Sequence, residues 1–299
     1  MHTTLRQLRL FAALAEHGSV TAAAKACHVT QPTVSMQLKA LTDAVGLALY
    51  ERVDNRIHLT QAGEDLLLTA RAMSDEWEAF VQRVDAMKGL TRGRLRVALV
   101  STAKYFVPRI LGRFCARHPD IEIALEVLNR DRVIARMREN RDDLYIMSIP
   151  PADIALERHP FLPNPLVVIA AASHPLAGRK RLPLARLARE RFILREPGSG
   201  TRLACDAHFE RAGFVPDVRL EIGSNEAIKE AVAAGMGIAI VSRHALGGKP
   251  AVPGLAILGV AGFPLHSNWW ILYPRGKSLS PIARRFLDEL TSSREDAGR

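Results

Sequence analysis

Seven apolar residues, Leu66, Ala70, Met73, Trp77, Phe80, Val84 and Met87, are spaced alternately four and three positions apart. That alternation is the a/d seam of a coiled coil, which keeps a 3.5-residue period where a helix lying on a globular core drifts toward 3.6. The same residues could serve an ordinary amphipathic helix, but the undrifting period favours the seam. A helix from Thr60 to about Lys88 that carries such a seam asks for a second copy of itself, so a homodimer is expected. It also divides the 299 residues. A short stretch precedes it, and roughly 200 residues follow Gly89 and a hinge at Thr91-Arg92-Gly93.

The short stretch reads as three small helices. Leu5, Leu8, Phe11, Ala12 and Ala15 recur at helical spacing up to His17-Gly18. Ser19 can cap a second helix from Val20 to Cys27, and His28-Val29 connects onward. Thr30 caps a third, with Pro32 in its first turn, where the missing N–H costs nothing, and Gly46 as its stop. Val34, Leu38, Leu41 and Val45 form one buried stripe of that third helix. Gln31, Pro32, Ser35, Met36 and Lys39 lie on the exposed side. Leu49–Arg52 and Ile57–Leu59 suggest two short strands around Asp54-Asn55, a small wing.

An exposed helix start with Gln31 and Ser35 can meet base edges in a major groove. Gln can pair two-point with adenine, Ser can reach bases or phosphate, and Pro32 and Met36 can touch a thymine methyl. Lys39, Arg52 and Arg56 would meet phosphates or the minor groove. The net charge of +10 is not the reason for this reading. Residues 1–92 hold ten basic and ten acidic side chains, so the whole excess lies behind them. It is a weak sign that the C-terminal part meets an anion.

From Arg94 onward strands and helices alternate. Strands are expected at Arg94–Val100, Ile121–Val127, Leu144–Met147, Leu166–Ala171, Arg191–Leu194, Ile238–Val241 and Trp269–Leu272. Helices are expected at Lys104–Arg117, Val133–Asn140, Thr201–Ala212, Ser224–Ala234 and Pro281–Leu290, with a solvated tail from Ser292. Such alternation predicts parallel sheets covered by helices, in two lobes with a ligand cleft between them. Two segments look like anion seats. Ser101-Thr102 follows a strand and opens a helix, and so does Glu196-Pro197-Gly198-Ser199-Gly200-Thr201-Arg202. Neither has the spacing of a Walker A loop.

Other function classes find little support. The longest apolar run, Leu166 to Ala172, is far short of a membrane span, and no secretory leader is visible, so a cytoplasmic protein with no membrane partner is expected. Cys27, Cys115 and Cys205 are scattered like small apolar residues. His159, His174, His208 and His244 show no metal spacing, and no catalytic motif or cofactor fingerprint appears, so no enzyme, metal or cofactor is expected. An enzyme with an appended DNA-binding head would need an acid/base pair in the cleft. A plain solute-binding protein fits residues 94–290 but not the first ninety.

The string from Gly18 to Leu67 resembles the winged helix-turn-helix of the LysR-type transcriptional regulators. The resemblance rests on Gly18-Ser19, Ala23-Ala24, Thr30-Gln31-Pro32, Val34-Ser35, Gln37-Leu38-Lys39, Leu41, Gly46, Leu49-Tyr50-Glu51-Arg52 and Leu59-Thr60-Gln61-Ala62-Gly63. Cys27 and Met36 depart from the residues common there. The resemblance implies a winged helix-turn-helix over residues 1–60 and a dimerisation linker over 61–92. It implies a periplasmic-binding-protein-like α/β effector domain over 93–299, with one lobe at about 93–163 and 268–299 and the other at about 164–267. It further implies contact with DNA by Thr30, Gln31, Pro32, Thr33, Ser35, Met36, Lys39, Arg52 and Arg56. The partners implied are double-stranded DNA with an inverted repeat, further copies of the chain up to a homotetramer, and RNA polymerase.

Ser101 to Phe106, Asn164-Pro165-Leu166, Arg195 to Arg202 and Ser224 to Lys229 are similar to the Calvin-cycle (RuBisCO operon) regulators within that family. That similarity implies a small anionic, phosphorylated effector held by Ser101, Thr102, Asn129, Arg130, Thr201 and Arg202. Ser148-Ile149 stands where Gly-Arg is expected in that subgroup. The alternative is a regulator of another pathway with a non-phosphorylated carboxylate effector.

Overall fold

Thr4 and Gln7 start the first helix by capping each other: the Gln7 N–H donates to Thr4 Oγ1 at 3.2 Å and the Thr4 N–H to Gln7 Oε1 at 2.9 Å. The structure is a computed structural model describing residues 2–53, 56–87, 92–247 and 253–296, with backbone alone for 292–296. It divides into two units, residues 1–90 with 139–141 and 278–281, and the rest.

In the N-terminal unit, α1 (Leu5–His17) stops on Gly18, whose φ of 67° is left-handed. Ser19 caps α2 (Val20–Ala26), and Thr30 caps α3 (Gln31–Val45), which carries Pro32 in its first turn and ends on a left-handed Gly46. Leu8, Phe11 and Leu14 of α1, Ala23 of α2, and Val34, Leu38 and Leu41 of α3 close into one buried core. β1 (Tyr50–Val53) and β2 (Arg56–Leu59) pair antiparallel, Tyr50 opposite Leu59 and Val53 opposite Arg56. This wing reaches one residue further than expected at each inner end, and its turn, Asp54-Asn55, lies outside the described residues.

Thr60 joins the wing to α4 (Gln61–Met87). Its hydroxyl donates to the Ala48 carbonyl at 2.6 Å and accepts from the Gly63 N–H at 3.1 Å. Gly63 is obligatory here, because a Cβ on it would stand 1.9 Å from the Leu49 carbonyl oxygen. The expected seam divides along α4. Ala70 is buried in the core of its own unit, which takes it out of a dimer seam, and Leu66 is half-buried against that core. Met73, Trp77 and Phe80 are 46–47% exposed and Met87 85%, with Val84 half-buried. The first three turns of α4 sit on the helix-turn-helix core. The hinge residues Gly89 and Thr91 lie outside the described residues.

The second unit holds two five-stranded sheets. The first has the order β4-β3-β5-β12-β6, from β3 (Gly93–Val100), β4 (Ile121–Leu128), β5 (Leu144–Met147), β6 (Leu156–Pro163) and β12 (Asn268–Pro274). The second has the order β11-β7-β10-β8-β9, from β7 (Leu166–Ala171), β8 (Arg191–Arg195), β9 (Asp217–Ile222), β10 (Ile238–Ser242) and β11 (Leu255–Leu258). The chain passes between the sheets twice, along segments held together by the Asn164 N–H on the Ser267 carbonyl at 2.8 Å. The sheets are mixed, not parallel as expected: β12 runs antiparallel to β5 and β6, and β7 antiparallel to β10 and β11. Three strands, β6, β9 and β11, were not legible. Each is an edge strand: β6 carries Pro160 and Pro163, tolerated only at an edge, and β9 alternates weakly among charges.

The apolar run at Leu166 reflects burial on both faces. Leu166, Val168 and Ala170 face Cys205 and Phe209 of α7 (Gly200–Ala212), whereas Val167 and Ile169 face Ile228 and Val232 of α8 (Asn225–Ala233). On the first sheet, α6 (Arg130–Arg138) packs Val133 and Met137 against Ala98 and Tyr145. Phe114 of α5 (Val107–Arg117) meets Phe286 of α9 (Pro281–Asp296) edge-on at 5.0 Å. The helix expected from Lys104 is broken: Ser101–Tyr105 form a short 3-10 turn, and α5 starts only at Val107. Pro108 explains the break, since it fits a first turn but would forfeit a hydrogen bond inside a longer helix. At the C-terminus α9 is helical to Asp296, past the start of the expected tail.

Candidate DNA-reading face and effector site

The stripe that buries α3 fixes what it shows outward. Gln31, Pro32, Ser35, Met36 and Lys39 are exposed, as is Thr30, and Thr33 is half-buried. The first turn is tied down from behind: Thr30 Oγ1 accepts from the Thr33 N–H at 3.4 Å and lies 2.8 Å from its hydroxyl. Thr21 of α2 donates to Gln31 Oε1 at 3.4 Å. Arg52 and Arg56 are both exposed on the wing, but the register separates them. Arg52 shares a ribbon face with Tyr50, Ile57 and Leu59, which pack on the core, while Arg56 shares the other with Val53.

In the second unit, the end of β8 meets the start of the 3-10 turn. Arg195 is buried at 3% exposure, and its guanidinium donates to Thr102 Oγ1 and Asn225 Oδ1 at 3.2 Å each and to Ser101 Oγ at 3.3 Å. Glu196 takes its other edge in a two-point pair at 2.7 and 2.8 Å. Asn225 Nδ2 also donates to Thr102 Oγ1 at 3.1 Å. A second link lies beside it: Lys104 Nζ and the Tyr105 hydroxyl bind the two oxygens of Glu226 at 3.1 and 2.7 Å. Burial raises the Glu226 pKa, but hydrogen bonds from Tyr105, its own N–H, Lys104 and Ser224 outweigh that and lower it to about 2. Burial and Glu226 together raise that of Tyr105.

The expected effector residues fall into two groups. Ser101 and Thr102 join Arg195, as just described. Arg130 donates to the Ile149 carbonyl at 3.2 Å, and Asn129 caps α6 through the Arg132 N–H at 3.0 Å. The end of β5 lies against the start of α7, where a Cβ on Gly200 would stand 2.6 Å from Ser148 Oγ. Thr201 is buried beside it. The Arg202 guanidinium is engaged by Asp206 at 2.8 and 3.0 Å, by Glu221 and by the Arg195 carbonyl, and so staples α7 to β9. The cation of the cluster is Arg195, which sequence reasoning missed. The available signal was a charged residue closing the apolar strand Phe192-Ile193-Leu194, where burial demands partners.

Cys205 is buried and its thiol is pushed up to about 12 by burial, while Cys27 and Cys115 are half-buried. Among the described residues no group of His, Cys, Asp and Glu could hold a metal ion, and no helix is long and apolar enough to cross a membrane.

The LysR-family bacterial regulatory helix-turn-helix matches residues 5–64, and the LysR substrate binding domain matches residues 88–294. The chain belongs to the LysR family. The RuBisCO operon transcriptional regulator of Acidithiobacillus ferrooxidans is 44% identical over 295 residues, covering 99% of this chain and 96% of that one. The regulatory domain of CcmR from Synechocystis PCC6803, solved in complex with 2-PG, is 49% identical with a TM-score of 0.66, covering 69% of this chain and 99% of that one. Full-length CbnR complexed with its target DNA is 25% identical with a TM-score of 0.67, covering 97% of this LysR-family chain and all of CbnR. The winged helix-turn-helix and two-sheet α/β architecture are thus those of full-length LysR regulators.

Proposed function

We propose that this chain is a transcription regulator of carbon-fixation genes that binds an inverted-repeat promoter site and responds to a small phosphorylated metabolite. The carrying observation is the 44% identity, over nearly the whole of both chains, to a RuBisCO operon regulator. Residues 1–60 are the reading head, 61–92 the linker, and 93–299 the effector domain. Thr30, Gln31, Pro32, Thr33, Ser35, Met36 and Lys39 meet the major groove, with Arg52 and Arg56 at the flanking backbone. Met73, Trp77, Phe80, Val84 and Met87 pair two copies, two dimers form a tetramer, and RNA polymerase is the downstream partner. It works in the cytoplasm by binding and not by catalysis.

The effector is a phosphorylated carboxylate of the 2-phosphoglycolate kind, because the CcmR domain that is 49% identical was solved with 2-PG. Ser101, Thr102 and Arg195 on one side and Asn129, Arg130 and Thr201 on the other supply cations, hydroxyls and N–H donors suited to its two anionic ends. Ser148-Ile149, in place of Gly-Arg, favours a second reading in which the effector is a non-phosphorylated carboxylate. Gel shifts on the promoter of a neighbouring carbon-fixation operon decide between them. A sequence-specific complex whose affinity or footprint changes with 2-phosphoglycolate is the expected result. A response only to a dicarboxylate selects the second reading, and the absence of a specific complex overturns both.

A further inference from the structure

Arg195 has no donor to spare. A guanidinium carries five N–H groups, and here all five are used: two on Glu196, one each on Thr102, Asn225 and Ser101. An anion arriving beside Ser101 and Thr102 therefore finds the nearest buried cation already satisfied, and can recruit it only by taking the place of an acceptor. The acceptors are not equal. Thr102 and Asn225 are 5% and 2% exposed and bind each other, whereas the Glu196 side chain is 28% exposed and holds the outward two-point edge. Glu196 is also the only one of the four that is itself an anion, so it is the one a ligand anion replaces like for like.

We infer that Glu196 is the resident counterion of Arg195 and that an anionic effector engages the protein by exchanging for it, which makes Glu196 a specificity-determining residue. The inference rests on reading this cluster as the effector site. A monocarboxylate brings the same charge and geometry as Glu196, but it competes with a tethered group whose effective concentration is on the order of millimolar. Free monocarboxylates at lower levels lose that contest. A phosphate monoester brings a charge of about −1.5 to −2 and three acceptor oxygens, so it displaces the tethered carboxylate where a monocarboxylate does not. The released Glu196 side chain turns to solvent, which its position already borders.

Calorimetric titration of the full chain with 2-phosphoglycolate, inorganic phosphate and acetate tests the exchange in wild type, Glu196→Gln, Glu196→Ala and Glu196→Asp. Both neutral variants are expected to bind 2-phosphoglycolate about tenfold tighter, and to take phosphate and acetate at concentrations where wild type does not. Glu196→Asp, which keeps the charge, is expected to remain as selective as wild type. Having two neutral variants guards against one failing to fold. Wild-type binding of 2-phosphoglycolate with no gain in either neutral variant, or an equal gain in Glu196→Asp, overturns the exchange and leaves the effector reading standing. Phosphate binding by the neutral variants without 2-phosphoglycolate binding by wild type removes that effector and keeps the exchange. Silence from every protein removes both.

Discussion

Gly63 shows how one atom fixes the joint between wing and linker. Its N–H completes the cap on Thr60, and its missing Cβ lets the Leu49 carbonyl approach where a methyl group would stand 1.9 Å away. Gly63→Ala is therefore expected to destabilise the N-terminal unit by about 1–3 kcal/mol, because backbone rather than a flexible side chain must move. Gly112, inside α5 with nothing within 4 Å of a built Cβ, is the opposite case. Gly112→Ala should stabilise by about 0.5–1 kcal/mol through helix propensity alone. Urea unfolding of the two variants checks both signs. Equal effects would mean that the close approach at Leu49 is not real. Arg195 and Arg202 carry the same lesson for charge: Arg195 stands just before the segment read as an anion seat and Arg202 ends it, and only the three-dimensional partners reveal which is buried among hydroxyls and which is paired with Asp206 and Glu221.

Of the helices, α4 links two demands. Its first turns bury Ala70 and pack half-buried Leu66 against the helix-turn-helix core, and its middle leaves Met73, Trp77 and Phe80 half in water, with the Trp77 and Phe80 rings 5.6 Å apart. Being already half-buried, each such side chain gains about 1 kcal/mol when a partner helix covers the rest. Trp77→Asp with Phe80→Asp should therefore weaken dimerisation by about two orders of magnitude or more, with the helix content unchanged. Sedimentation velocity reads the first and circular dichroism the second. A double variant that stays dimeric would relocate the pairing surface. The helices were legible because caps and periods are local: Ser19, Thr30 and Gly46 announce themselves. The edge strands β6, β9 and β11 were not, because the prolines of β6, the charges of β9 and the four-residue length of β11 blur any period, whereas the edge strand β4 keeps its alternation. The direction of β12 escaped because only the return of the chain to the first sheet makes it antiparallel.

In the whole molecule, the exposed face of α3 and the apolar face of α4 enter the proposed function together, as a groove-reading helix supplied in pairs. The exposed face of α3 was almost wholly legible, since the buried stripe Val34, Leu38 and Leu41 dictates its complement. The hydrogen-bonded cluster around Arg195 was legible only in part, because Ser101 and Arg195 lie 94 positions apart and nothing local joins them. A dimer of such heads binds half-sites spaced by whole turns of the duplex, about 10–10.5 base pairs. The most direct measurement is the affinity of the full chain for its inverted repeat after inserting five or ten base pairs between the half-sites. The half-turn insertion should abolish tight binding and the full-turn insertion should restore much of it. Equal affinity for all three duplexes would contradict paired reading by α3.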